Sequence, residues 1–98
     1  MIVQLSDDAE RDLLDGIGFY DANDRPAGDY FLESLTADVR SLSLLGGVHS
    51  MRHGYRCMSA SRFPYAVYYE VRSDVVSVVA ILDERRDPEW IVGRLRNG

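Results

Sequence analysis

Two amphipathic helices are predicted in the first half of the chain. Ser6 is a favourable helix N-cap, and the carboxylates of Asp7, Asp8 and Glu10 follow it in the first turn. Apolar residues then recur at the spacing of one helix face: Ala9, Leu13, Ile17 and Tyr20. A second series of this kind lies between Pro26 and Gly46-Gly47: Phe31, Leu35, Val39, Leu42 and Leu45. The short polar break between the two series predicts an antiparallel helical hairpin.

Strand patterns dominate the second half. Tyr55–Ala60 is a candidate strand, and apolar and polar residues alternate between Tyr65 and Arg72. This alternation places Tyr65 and Tyr69 in the core and favours exposure for Tyr68. Val75–Leu82 is rich in β-branched residues and does not alternate, which is typical of a central strand covered on both faces.

The remaining elements complete an α+β fold. Ile2–Leu5 is a short apolar strand, and Ser73-Asp74 is a two-residue turn between the last two strands. Asp87-Pro88 begins a final helix, in which Trp90 is expected to pack on the sheet. The predicted order is β-α-α-β-β-β-α, a helical hairpin packed on a small antiparallel sheet with a C-terminal helix. We expect residues 1–98 to form a single domain, since 98 residues suit one small core.

Charge is distributed unevenly along the chain. Residues 1–48 contain three arginines and ten carboxylates, a net charge of −7, whereas residues 49–98 contain eight arginines and six carboxylates, a net charge of +2. Lysine is absent from the sequence. Arginine binds carboxylates and phosphates through a planar fork, so the second half is the better candidate for a binding surface. The overall charge of −5 argues against strong non-specific binding to nucleic acid.

Composition points to a cytoplasmic protein without a cofactor. The N-terminal stretch lacks a basic segment followed by a long apolar one, so no signal peptide is expected, and the longest apolar run is too short to span a membrane. The single cysteine, Cys57, has no partner for an internal disulfide. His49 and His53 have no third ligand at a suitable spacing, so no metal site is expected and their roles stay open.

Two segments resemble the RelE/ParE toxin family. The first is Arg62-Phe63-Pro64-Tyr65, continuing through the alternating strand, and the second is the valine-rich strand that ends in Asp83-Glu84-Arg85-Arg86-Asp87-Pro88. The helical hairpin is also similar to that of the family. The resemblance implies a toxin of a bacterial type II toxin–antitoxin pair, with a cognate ParD-like or related antitoxin as partner in a hetero-oligomer. It further implies one of two targets, DNA gyrase or mRNA on the ribosome.

The residues favour the ParE branch, a binding toxin without chemistry of its own. In the nuclease branch, arginines, lysines and a tyrosine stabilise phosphate charge and transfer protons during RNA cleavage. At the comparable positions this chain has Met58, Ala66, Glu84 and Trp90. Two alternatives are a ribosome-dependent mRNA endonuclease, with Arg56, Arg85 and Arg86 as its catalytic residues, and an inactive relative that only binds antitoxin.

Residues for binding the target or the antitoxin are predicted on the sheet and at its end: Arg52, Arg56, Arg62, Tyr68, Arg72, Arg85 and Arg86. Arg52, Arg56, Arg62 and Arg72 are candidates for one basic sheet face, for which a solvated face without function is the competing interpretation. For Arg85-Arg86 the alternative is an internal ion pair with Asp83, Glu84 or Asp87, all adjacent in sequence.

Overall fold

A computed structural model describes residues 1–97. Within them lie three helices and five strands, in this order: β1 (Ile2–Leu5), α1 (Asp7–Asn23), α2 (Arg25–Leu45), β2 (Met51–Arg52), β3 (Tyr55–Ser59), β4 (Tyr65–Arg72), β5 (Val75–Asp83) and α3 (Pro88–Asn97). The α+β class and the predicted order of helices are confirmed. The strand β2 was not predicted, because two residues form a strand only through their partner in β3.

The helical hairpin is tighter than its sequence break suggested. Ser6 caps α1 by accepting a hydrogen bond from the amide of Ala9 at 3.0 Å, as expected. Between α1 and α2 only Asp24 is non-helical, and its backbone is extended. Gly16 faces Phe31 so closely that an added Cβ would lie 2.5 Å from the ring. This glycine weakens α1 locally but allows α2 to approach.

The sheet is mixed, with strand order β1-β5-β4-β3-β2. The pairs β2–β3, β3–β4 and β4–β5 are antiparallel, but β1 pairs with β5 in parallel. The prediction of an antiparallel sheet is therefore wrong for β1. The direction of a strand depends on the neighbour whose edge it meets, and four apolar residues do not encode that neighbour.

The sheet separates two apolar cores. The hairpin face includes Phe31, Leu35, Val67 and Val76, and the α3 face includes Ala66, Tyr68, Leu82 and Ile91. The strand β5 lies between β1 and β4 and contributes to both cores, which confirms its predicted central place. Its register with β4 passes from Val78 to Ala80 and skips Val79, so a bulge interrupts the alternation.

Tyr68 is a core residue, and its predicted exposure is wrong. Its side chain is 1% exposed, compared with 8% for Tyr65 and 0% for Tyr69, which are buried as predicted. Alternation along a strand predicts exposure only where one face of the sheet is solvated. In this protein α3 covers the second face, so both sets of side chains on β4 are buried over Tyr65–Tyr69.

Candidate functional site: an arginine-lined recess beside the C-terminal helix

A recess of about 230 Å³ lies on the α3 face, between the β2–β3 turn and the start of α3. Its lining combines two guanidinium groups, an imidazole, a phenol and a carboxylate with two apolar residues: Arg52, His53, Tyr68, Glu84, Arg86, Pro88 and Ile91. Three predicted binding residues, Arg52, Tyr68 and Arg86, thus come together here although they are far apart in sequence. The side chains of both arginines have no ion pair within the described residues 1–97.

The β2–β3 turn delivers Arg52 and His53 to the recess. His53 and Gly54 both have positive φ, 55° and 89°, between the paired residues Arg52 and Tyr55. Two consecutive positive φ values are the pattern of the tight hairpin turn that matches strand twist. The turn therefore holds the adjacent Arg52 in a defined backbone position at the sheet edge.

Tyr68 forms the floor of the recess and Glu84 its rim. Burial raises the pKa of Tyr68 to about 12, so its hydroxyl stays protonated near neutral pH. Glu84 accepts a hydrogen bond of 2.9 Å from the hydroxyl of Ser59, which ties it to the end of β3. The recess can thus offer hydrogen-bond donors from Arg52 and Arg86 to an anionic group, above the buried ring of Tyr68.

Arg86 is held by an aromatic contact. Its guanidinium carbon lies 3.7 Å from the ring centroid of Trp90, a close cation–π contact. The internal ion pair predicted for the arginine pair belongs to Arg85, which donates two side-chain hydrogen bonds to Asp83 at 3.0 and 2.7 Å. These bonds lower the pKa of Asp83. The two adjacent arginines therefore have different partners.

Arg56 and Arg62 do not share a face of the sheet with Arg52, so the prediction of one basic face of four arginines is wrong. Arg56 donates to the carbonyl of His49 at 3.0 Å, and in the strand register it lies opposite Tyr69 of β4. Arg62 lies in the loop after β3 and donates to the hydroxyl of Tyr30 at 3.0 Å. Arg72 is near Glu70 at the end of β4. Alternation in the sequence predicts the face of the sheet on which a strand residue lies. It does not predict which group a long arginine side chain contacts.

A second concavity adjoins the recess on the other side of Arg86. This cleft of about 310 Å³ lies between α1 and α3, beside the end of β5. At its edge Arg94 binds Asp12 through two hydrogen bonds of 2.6 and 2.8 Å, and Asp12 also accepts the amide of Ile81 at 3.1 Å. Sequence reasoning missed this pair. The pair could have been suspected from the sequence, because Asp12 lies on the apolar face of α1, between Ala9 and Leu13.

The histidines occupy different environments. The Nδ1 atom of His49 lies 2.5 Å from the hydroxyl of Tyr69, which also accepts the amide of Gly47. His49 therefore supports the linker between α2 and β2. Among residues 1–97 no group of three potential metal ligands occurs, and no helix there is both long and apolar enough to cross a membrane.

The fold also occurs in a solved structure. A chain from a structure described as the chromosomal ParDE TA system from P. aeruginosa is similar, with a TM-score of 0.74, 17% identity, and coverage of 83% of this chain and 92% of that chain. No curated protein sequence matches. The sequence profile of the ParE toxin of the type II toxin–antitoxin system, parDE, matches residues 3–88. The chain belongs to this family, and its toxin role and ParE branch agree with the prediction.

Proposed function

We propose that this toxin arrests growth by binding and inhibiting DNA gyrase, and that a cognate antitoxin neutralises it. The proposal depends on one observation: buried apolar residues occupy sheet positions where a nuclease would have its catalytic groups. Met58 is 6% exposed and Ala66 is 0% exposed, so both belong to the cores. Trp90, in place of a tyrosine, lies beneath Arg86 and has no hydroxyl to donate a proton.

The contact with the target is assigned to Arg52 and Arg86, with Tyr68 as the floor between them. A recess of about 230 Å³ suits a single side chain of a protein partner. Pro88 and Ile91 give this recess an apolar wall, against which a partner carboxylate would be shielded from water. Arg56, Arg62, Arg72 and Arg85 contribute less, because each already has an oxygen atom of this chain as a polar partner.

Antitoxin binding is assigned to the hairpin and the sheet edge. Within residues 1–97, the outer edge of β1 has no neighbouring strand, and β2 covers only two residues of β3. Exposed apolar residues lie on the hairpin and after it, with Leu44 87% and Val48 70% exposed. Such edges and faces accept extended or helical peptides. We expect the product of the adjacent reading frame to co-purify with this chain through a segment that folds on binding.

An mRNA endonuclease is the second candidate, and one observation favours it. His53 and Glu84, which can both transfer protons, line the same recess as Arg52 and Arg86. Carboxylate, imidazole and guanidinium groups are the kinds of side chain that RNA cleavage through a 2′-hydroxyl requires. Against this, Glu84 already accepts a hydrogen bond from Ser59.

One experiment separates the candidates. The toxin is induced without its antitoxin, transcripts are mapped by primer extension, and purified toxin is added to a gyrase supercoiling assay. We expect inhibited supercoiling and unchanged transcript ends. Discrete new 5′ ends within coding regions, together with normal supercoiling, would replace the gyrase proposal with the endonuclease. Normal growth with soluble, folded toxin would identify an inactive relative that only binds antitoxin.

A further inference from the structure

Arg86 is exposed but surrounded by fixed groups. Trp90 lies under its guanidinium at 3.7 Å, and the same indole ring is 5.9 Å from the guanidinium carbon of Arg94. Arg94 is in turn fixed by its two hydrogen bonds to Asp12, whose side chain is 8% exposed. Successive contacts thus link Asp12 of α1 to Arg94 and Trp90 of α3, and Trp90 to Arg86. The guanidinium of Arg86 lies between the recess and the cleft.

The carboxylate of Asp12 is anchored to the sheet. Asp12 accepts the amide of Ile81, a residue of β5 beyond the part that β1 covers, because the β1–β5 register ends at Leu5 and Val78. A backbone amide is a rigid donor, and a buried carboxylate with three hydrogen bonds has little freedom. Asp12 therefore fixes the position of Arg94 relative to β5, at the centre of the fold.

An arginine that is ordered in advance binds better than a free one. A guanidinium on a flexible side chain loses rotamer freedom when it binds, and holding it in its bound position before binding removes part of that loss. Stacking on an indole fixes the plane of the guanidinium and leaves its N–H groups free at the edge. This arrangement suits a single carboxylate of a protein partner, which Arg recognises in the plane of its fork.

We propose that Trp90 is a positioning residue, held by Arg94 and Asp12, which presents Arg86 to the target of the toxin. The proposal rests on the proposed function in one respect, that Arg86 contacts the target. It gives Trp90 a role beyond packing α3 on the sheet.

The first test replaces the ring. Trp90→Phe keeps an aromatic face for Arg86, whereas Trp90→Leu keeps only an apolar side chain. We expect the leucine variant to inhibit its target about tenfold more weakly, equivalent to about 1.4 kcal/mol, and the phenylalanine variant to recover most of the activity. Activity is read as growth arrest over a range of inducer, with thermal melting as the check on folding. Parent-like arrest by a folded Trp90→Leu variant would overturn the proposal.

The second test needs no target, so it stands even if gyrase is not inhibited. The Nε–H proton of Arg86 lies near the indole face and should resonate upfield in the NMR spectrum of the parent protein. Arg94→Lys keeps a positive charge opposite Asp12 but loses the two-point fork, and it should move this resonance towards the position of a free arginine. Arg96→Lys, on the same helix, is the matched control and should leave it unchanged.

The positioning role of Trp90 and the inhibition of gyrase can fail independently. An unshifted Arg86 resonance in the parent, or one that Arg94→Lys does not move, overturns the positioning role even if Trp90→Leu fails to fold. A shifted resonance that responds to Arg94→Lys, in a toxin that leaves supercoiling untouched, supports the positioning role and rejects gyrase as the target.

Discussion

Arg85 and Arg86 show how adjacent residues of one type acquire different functions. Arg85 binds Asp83 within its own chain, whereas Arg86 rests on Trp90 with no carboxylate partner among the described residues. We expect Arg86→Ala to abolish toxicity while the melting temperature stays near that of the parent, since an exposed cation–π contact is worth under about 1 kcal/mol. Growth arrest and thermal melting of the purified variant are the measurements.

The neighbouring substitution is the control for that prediction. Arg85→Ala removes an ion pair whose arginine is 60% exposed, so we expect parent-like toxicity and a small change in stability. If both variants lose toxicity equally, the two arginines act together and the distinction between them is wrong. If Arg86→Ala remains fully toxic, the residue is a solvated surface arginine.

Asp12 should be the charged residue whose loss costs the most stability. Asp12→Ala leaves Arg94 without its carboxylate and the amide of Ile81 without its acceptor. Breaking a buried ion pair from one side costs about 3–5 kcal/mol. Asp8→Ala removes a surface pair of 3.8 Å with Arg11 and should cost under about 1 kcal/mol. Urea denaturation of both variants decides this, and similar losses would contradict it.

At the scale of elements, the helices could be predicted well and the sheet only in part. Caps, spacing and the Pro26 and Gly46-Gly47 boundaries are local, so they predicted α1 and α2 to within two residues at each end. The direction of β1, the strand β2 and the burial of Tyr68 depend on neighbours distant in sequence. Hydrophobic period alone does not contain that information.

Two buried tyrosines on β4 should make the stability of the fold decrease at alkaline pH. Burial is the main cause that raises the pKa of Tyr65 and Tyr68 from 10.0 to about 12. The folded state therefore holds these protons more tightly than the unfolded state. The resulting stability is fully present below pH 10 and is lost as the pH rises towards about 12. Tyr68→Phe should reduce this loss, as measured by thermal melting across that range.

The alkaline prediction has an internal control. Leu44 is 87% exposed and has no titratable group, and Leu44→Ala should leave the loss of stability between neutral pH and about pH 12 as steep as in the parent. A parent-like slope in Tyr68→Phe would show that other groups govern alkaline unfolding.

At the scale of the whole molecule, the two sides of the sheet are covered by parts of the sequence that differ in net charge. The hairpin, on one face, comes from the half of the sequence with a net charge of −7, and the recess and α3, on the other side, come from the half with +2. The sequence predicted this imbalance and named Arg52, Tyr68 and Arg86. It did not predict their meeting in one recess, because that requires the β2–β3 turn and the start of α3 to converge.

This distribution of charge predicts that the toxin does not bind free DNA. Non-specific affinity grows with the number of phosphates that a protein neutralises, and only Arg52 and Arg86 offer unpaired cations to the recess of a protein with a net charge of −5. We expect no retardation of linear duplex DNA in a gel at about 0.1 M salt. A variant with exposed hairpin carboxylates neutralised (Asp7→Asn, Glu10→Gln, Asp29→Asn, Glu33→Gln) has a net charge of −1 and should bind weakly. If the parent retards DNA as strongly as this variant, the α3 side recognises phosphate directly and the preference for a protein carboxylate is wrong.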